Sequence, residues 1–193
     1  MPKKDEPEVF YPRNATAWRK WLAKNHASKQ SVWLVLYSKA SKKPSIAWGD
    51  AVDEALCFGW IDSKRIKISE EISHQFFSRR KAKSTWSKIN KEKIERLIED
   101  GLMAQAGLDI IETAKKNGSW SILDEVEKLT IPTDLEKAFK KHKGSKNYFL
   151  SLSKSVRKRM LQSLVLAKRP ETRQNRINEI AEHAGKGKKP KQF

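Results

Sequence analysis

The stretch from Ala55 to Asn90 constrains the fold of this chain more than any other. It opens with Ala-Leu-Cys-Phe-Gly-Trp-Ile-Asp at 55 to 62 and closes with Phe-Phe-Ser-Arg-Arg-Lys-Ala-Lys-Ser-Thr-Trp-Ser-Lys-Ile-Asn at 76 to 90. A dense apolar and aromatic block is thereby tied to a cluster of arginine, lysine and hydroxyl side chains that runs into a helix start. Val52, Ala55, Leu56 and Gly59 suit a helix over Trp48 to Phe58, with Gly59 placed to take the left-handed conformation at its end. Trp60 to Ile68 and His74 to Phe77 read as a strand pair around a turn at Ser69 to Ser73, with Ile66, Ile68 and Phe76 facing inward. Upstream, Val32 to Tyr37 is a nearly continuous apolar run, expected to be a central strand covered on both faces. Asn14 or Thr16 caps a helix whose Trp18, Trp21 and Leu22 share the core side. Trp33, Leu56, Phe58 and Trp60 should then be buried together, because an exposed patch of that size invites association.

Beyond Asn90 the helical period takes over. Ile94, Leu97 and Ile98 form one stripe ended by Gly101, and Leu108, Ile111 and Ala114 another ended by Asn117 and Gly118. Thr133 and Glu136 have the spacing of a capping box just after Pro132. A further helix starts near Ser153 with Val156, Met160, Leu164 and Ala167 on one face, and Pro170 separates it from a last helix ending near Ala184. The fold class is α+β: a small, mostly antiparallel sheet with packed helices in the N-terminal half and a helical C-terminal portion. Residues 1–130 are expected as the α+β core, 131–184 as a helical domain and 185–193, rich in lysine and glycine, as a disordered basic tail.

The formal net charge of +18, from 41 Lys and Arg against 23 Asp and Glu, exceeds what keeping a domain in solution requires. An anionic partner, either a small molecule or nucleic acid, is the natural counterpart, and a solvated lysine-rich exterior is the bland alternative. The single cysteine, Cys57, lies in an apolar step and allows no internal disulfide, which fits a reducing, cytoplasmic setting. No apolar segment follows the first lysines as a signal peptide requires, and the longest apolar run is too short to span a bilayer. His26, His74, His142 and His183 sit on separate elements without metal-ligand spacing, so neither a metal nor a cofactor is expected.

Arg79, Arg80, Lys81 and Lys83 lead into Ser84, Trp86, Ser87 and a helix start. Side-chain cations, free backbone N–H groups and the positive end of the helix dipole converge there. Arg80, Lys83, Ser84, Trp86 and Asn90 are therefore candidate anion-binding residues, with Trp86 available to stack on a ring. Alternatively Ser84 or Ser87 is an N-cap and Trp86 is core. Asp62, beside Gly59-Trp60-Ile61, is either an acid or base with a raised pKa or a residue ordering its own turn, with Arg80 or Lys64 as structural partner. In the last helix Arg173 and Arg176 project close to the direction of Ile177 and Ile180. They pair with acids or line a cleft for an anionic ligand, and Arg173 joins the candidate set.

The motifs themselves carry a resemblance. Ala55 to Asp62, the S-x-W-S-K-x-N of Ser84 to Asn90, the G-x-M-x-x-A-G of Gly101 to Gly107 and the A-K-x-x-E-T-R of Ala167 to Arg173, with Trp18 and Trp21 upstream, resemble the YdeI/OmpD-associated family, also labelled bacteriocin-protection proteins. Arg79 and Ala82 stand where that family usually has proline, Thr85 where asparagine is common, and Ala104-Gln105 where Thr-Pro is usual. Losing the prolines should loosen the loop before the helix. The resemblance implies an OmpD-associated-type helical domain at the C-terminal end and a link to resistance against bacteriocins or antimicrobial peptides. Residues and resemblance together point to non-catalytic binding of a phosphate- or carboxylate-bearing ligand. The rivals are an enzyme acting on a small phosphorylated or carboxylated substrate and a nucleic-acid binder without sequence specificity.

Overall fold

The computed structural model describes residues 7–193, so most of the segment read above as lacking a signal sequence lies outside the described residues. The chain divides into two compact units, the first ending at Trp120 and the second running Ser121–Phe193, ten residues before the break suggested by the sequence. The first unit follows the order β1 (Glu8–Phe10), α1 (Ala15–Asn25), β2 (Ser31–Tyr37), α2 (Trp48–Cys57), β3 (Trp60–Lys67), β4 (Ile72–Arg79), α3 (Lys88–Glu99) and α4 (Gln105–Lys116). Its four strands form one sheet in the order β1-β2-β4-β3, with β1 parallel to β2 and the other pairs antiparallel. The second unit adds α5 (Asp124–Glu127), α6 (Thr133–Phe139), α7 (Ser145–Ser151), α8 (Lys154–Val165) and α9 (Pro170–Gly185). The fold is α+β, with the sheet confined to the first unit. No helix among the described residues is long and apolar enough to cross a membrane.

Local chemistry sets the helix starts. Asn14 accepts from the Ala17 N–H at 2.9 Å, and Ser87 and Ser153 cap α3 and α8 in the same way, each satisfying a donor that the first turn leaves free. The capping box expected at Thr133 does not form. Thr133 is already helical, Pro132 occupies the cap, and its carbonyl accepts the Glu136 N–H instead. Gly59 closes α2 with φ 72°, as its position requires. At α4 the issue is space: a Cβ on Gly107 would lie 2.3 Å from the Cys57 carbonyl oxygen, while the Ala104 N–H donates to that same oxygen at 3.1 Å. The backbone of α4 is therefore packed directly on the end of α2.

One face of the sheet carries the core. Val32, Leu34 and Leu36 of β2, Phe77 of β4 and Trp60 of β3 meet Trp18, Trp21 and Leu22 of α1 and the apolar side of α2. Trp18 donates its indole N–H to the Ala51 carbonyl at 3.0 Å, so the largest buried ring also has its polar atom satisfied. Leu56, Phe58 and Trp60 are buried, but Trp33 is not among them. It lies on the opposite face with Val35, Tyr37, Ile72, His74 and Phe76, all half-buried, and Ile66 and Ile68 are exposed. Three expectations are corrected here: Trp33 is not buried with the other three, β2 is central yet covered on one face, and Phe76, Ile66 and Ile68 are not turned inward while Phe77 is.

The inversion has a cause in β3. A bulge between Asp62 and Arg65 interrupts the ladder, and the inward-facing Gln75 amide donates to the Ser63 and Lys64 carbonyls at 3.2 and 3.3 Å. Ser73, also inward, takes the Arg65 guanidinium on its hydroxyl. Polar residues of β4 thus face the helices because they repair the neighbouring strand, and the apolar residues between them are turned outward.

In the second unit Leu135, Phe139, Phe149, Met160, Leu161, Leu164, Ile177 and Ile180 form a separate apolar core. The residues expected as a disordered tail are attached to it. Pro190 is buried, Phe193 packs against the core, the Lys188 N–H donates to the His183 carbonyl, and the Gln192 amide reaches Glu179 at 2.8 Å.

Candidate functional site

The basic run before α3 folds around Trp86. The Arg80 N–H donates to the Gly59 carbonyl at 2.9 Å, which anchors the end of β4 against the α2–β3 connection. Its side chain then turns inward. The guanidinium carbon lies 3.6 Å from the Trp86 ring centroid, Nη1 donates to the Thr85 carbonyl at 3.0 Å, and Nε is buried without a hydrogen-bond partner. Arg80 is 8% exposed and Trp86 1%. Burial pushes the guanidinium down to about 10, partly opposed by the negative charge of Asp62, so it still carries its proton at neutral pH. A desolvated cation on an indole face gains about 2 kcal/mol or more, which offsets part of the cost of leaving water.

Trp86 in turn meets Trp120 at 5.1 Å between centroids, tilted by 49°, and Lys91 and Lys115 lie within 5.2 and 5.9 Å of the Trp120 ring. Both indoles are flanked by cations from different elements. The Trp86 ring expected to stack on a ligand is therefore a core ring already covered by Arg80.

The remaining members of the set are held by other partners or exposed. Lys83 is exposed, and Ser84 closes a tight turn by accepting the Lys81 N–H on its hydroxyl at 3.2 Å. Asn90 is half-buried in the first turn of α3, its N–H given to the Ser87 cap. Asp62 lies in strand β3 instead of a turn, where Oδ2 accepts from the Trp48 indole at 3.1 Å and the Gln75 amide at 3.4 Å. Arg173 belongs to the second unit. It grips Asp134 through Nε at 2.8 Å and Nη2 at 3.1 Å and gives Nη1 to the Leu164 carbonyl at 2.8 Å, tying α9 to α6 and α8. Arg176 donates to the Ser163 carbonyl. Burial tends to raise the Asp134 carboxyl, but the hydrogen bonds from Arg173 and from the Leu135 N–H, with the Arg173 charge, hold it below its ordinary value.

Three shallow clefts mark the first unit: one around Arg65, Lys67 and Ser73 at the β3–β4 turn, one around His26, Phe58, Arg79 and Ile110, and one around Tyr37, Lys43 and Trp48. None of these three takes in Arg80, Lys83, Ser84, Trp86 or Asn90. The outward sheet face escaped the sequence reading. Its only trace there is the alternation Ile72, His74, Phe76 against Ser73, Gln75, which gives two faces without saying which one is covered.

Residues 10–110 match the family described as a domain of unknown function (DUF8412), and residues 128–187 match the family described as bacteriocin-protection, YdeI or OmpD-associated. No curated protein and no solved structure matches the chain. Three of the four motifs that carried the resemblance, from Ala55 to Gly107, fall inside the first match, and Ala167 to Arg173 falls inside the second. The chain therefore belongs to the DUF8412 family, and its second unit carries a match to the family described as bacteriocin-protection, YdeI or OmpD-associated.

Proposed function

We propose that this chain is a non-catalytic binding protein for a phosphate-bearing polyanion, held by positive charge dispersed over its surface and not gathered in one pocket. The supporting observation is the fate of its cations. Arg80 is stacked inside the fold and Arg173 is bonded to Asp134, whereas Lys81 and Lys83, and Lys137, Lys140, Lys141 and Lys143 in the second unit, are exposed and make no ion pair among the described residues. The second unit alone holds 18 Lys and Arg against 8 Asp and Glu. Exposed, unpaired lysines suit an extended anion, because each phosphate they neutralise releases a condensed counterion.

A nucleic acid in a reducing, cytoplasmic compartment meets that description. It also gives the bacteriocin link a physical form. A chain of net charge +18 repels a cationic peptide, so protection would come from occupying an anionic target that both seek. Fluorescence anisotropy of a labelled duplex of scrambled sequence tests the reading. Affinity should fall between about 50 and 200 mM salt with a log–log slope of about −0.9 per phosphate contact. Replacing Lys137, Lys140, Lys141 and Lys143 together by Gln should flatten that slope. Absence of binding at the lowest salt overturns the proposal.

A further inference from the structure

The sheet is apolar on its outward face as well as on the inward one that carries the core. It shows rings and aliphatic groups to the outside, while Gln75, Ser73 and Asp62 face the helices. Trp33 and Phe76 pair across β2 and β4 with centroids 4.8 Å apart at 66°, and the His74 ring lies 6.4 Å from Trp33. Tyr37 stands four residues further along β2, about 13 Å from Trp33 at the usual rise of a strand, where the Tyr11 ring meets it edge-on with centroids 5.1 Å apart. Each end of this row has a lysine over it. Lys64 lies 5.1 Å from the Trp33 ring and 5.7 Å from Phe76, and Lys43 lies 5.0 Å from Tyr37. The outward positions of β2, β3 and β4 include no carboxylate.

We infer that this face is a stacking platform for single-stranded nucleic acid. An apolar face ordinarily finds an apolar cover, but one whose rings are topped by ammonium groups and which lacks any acid suits a ligand that alternates flat rings with anions. In a single strand the bases are free to lie on Trp33, Phe76 and Tyr37, and the phosphates between them can draw Lys64 and Lys43 off the rings. In a duplex the bases are already stacked on each other, so the platform has nothing to add. The inference rests on the polyanion reading and sharpens it: charge supplies general affinity, and this face supplies preference for unpaired bases.

The test uses the full chain with labelled oligo-dT and a hairpin duplex of equal phosphate number, at one salt concentration, comparing wild type with Trp33→Leu/Phe76→Leu. Leucine keeps the face apolar while removing the flat rings, and urea melts of both proteins establish that the variant is folded. Wild type should prefer the single strand, with its tryptophan emission quenched on binding. The variant should lose about tenfold or more of the single-strand affinity with duplex binding unchanged. Equal single-strand affinity in the variant, or no single-strand preference in wild type, overturns the inference while leaving the polyanion reading intact. Absence of binding to either probe removes both. Light scattering that shows a dimer abolished by the substitution would assign the face to a second copy of this chain and also overturn the inference.

Discussion

Arg80 and Arg173 were candidates for one anion site, and the two units hold them in opposite ways. Arg173 makes three hydrogen bonds, two of them forming a bidentate ion pair with Asp134, with its own side chain 30% and that of Asp134 40% exposed. Arg80 makes one side-chain hydrogen bond and no ion pair among the described residues, yet it is nearly sealed from solvent. An aromatic face thus takes the place of a counter-ion in the first unit, and a carboxylate serves at the half-exposed edge of the second. Where water is excluded the partner of a guanidinium has to cover its area as well as its charge, and an indole does both.

The sharpest way to break this comparison is to remove the ring. Trp86→Ala should cost about 3–5 kcal/mol in urea unfolding, since it opens a cavity and strands the Arg80 charge. A loss under about 1 kcal/mol would mean that the stack is not part of the core. Next, Arg80→Met should stay within about 1.5 kcal/mol of wild type, because the thioether chain fills the same apolar slot without a charge. Arg80→Lys should be the worse variant, as an ammonium cannot lie flat on the indole. The reverse order, with Met costly and Lys tolerated, would point to an unrecognised carboxylate partner.

For the other arginine a smaller effect is expected. Arg173→Gln should cost about 1 kcal/mol or less at neutral pH, given the exposure of the pair. Its pH dependence has a definite sign. Asp134 has a folded pKa below the ordinary 3.8, so its contribution is complete above that value and is lost as pH falls through the folded pKa. The gap between wild type and Arg173→Gln should therefore close on acidification; a gap that widens would contradict the pairing. The smallest change is expected at Lys83. Lys83→Ala should leave the urea midpoint unmoved and lower the salt slope of duplex binding by about 0.9 if Lys83 contacts a phosphate, or leave it unchanged if it does not.

These contrasts mark what the residues disclosed. Helices with a polar side declared themselves: Trp18, Trp21 and Leu22 on α1, and Ile94 and Leu97 on α3, are buried as their spacing indicates, although Ile98 of the same α3 stripe is exposed. The strands did not. Ser31–Tyr37 has no polar alternation to say which side is covered, and in β4 the alternation points the wrong way because Gln75 and Ser73 serve atoms of β3. No pattern within one strand reports a bulge in its neighbour. The candidate site was half legible for a similar reason. Ser87 as cap and Trp86 as core were among the readings left open, but whether Arg80 turns into the fold or out of it depends on a ring six residues away whose own orientation is set by Trp120.

Gly107 closes one of the motifs, and its contact with Cys57 restricts which sequences can share this fold. The atom that a side chain would strike is a backbone carbonyl, which cannot rotate aside as the end of a long side chain can. Even alanine at 107 requires α4 to move away from α2, disturbing the Ala104 hydrogen bond to the same oxygen. Gly49, with open space around its α-carbon, has no such restriction. In a saturation library position 49 should fill with many residues while position 107 stays nearly empty, leaving no single-substitution path away from glycine at that point of the chain.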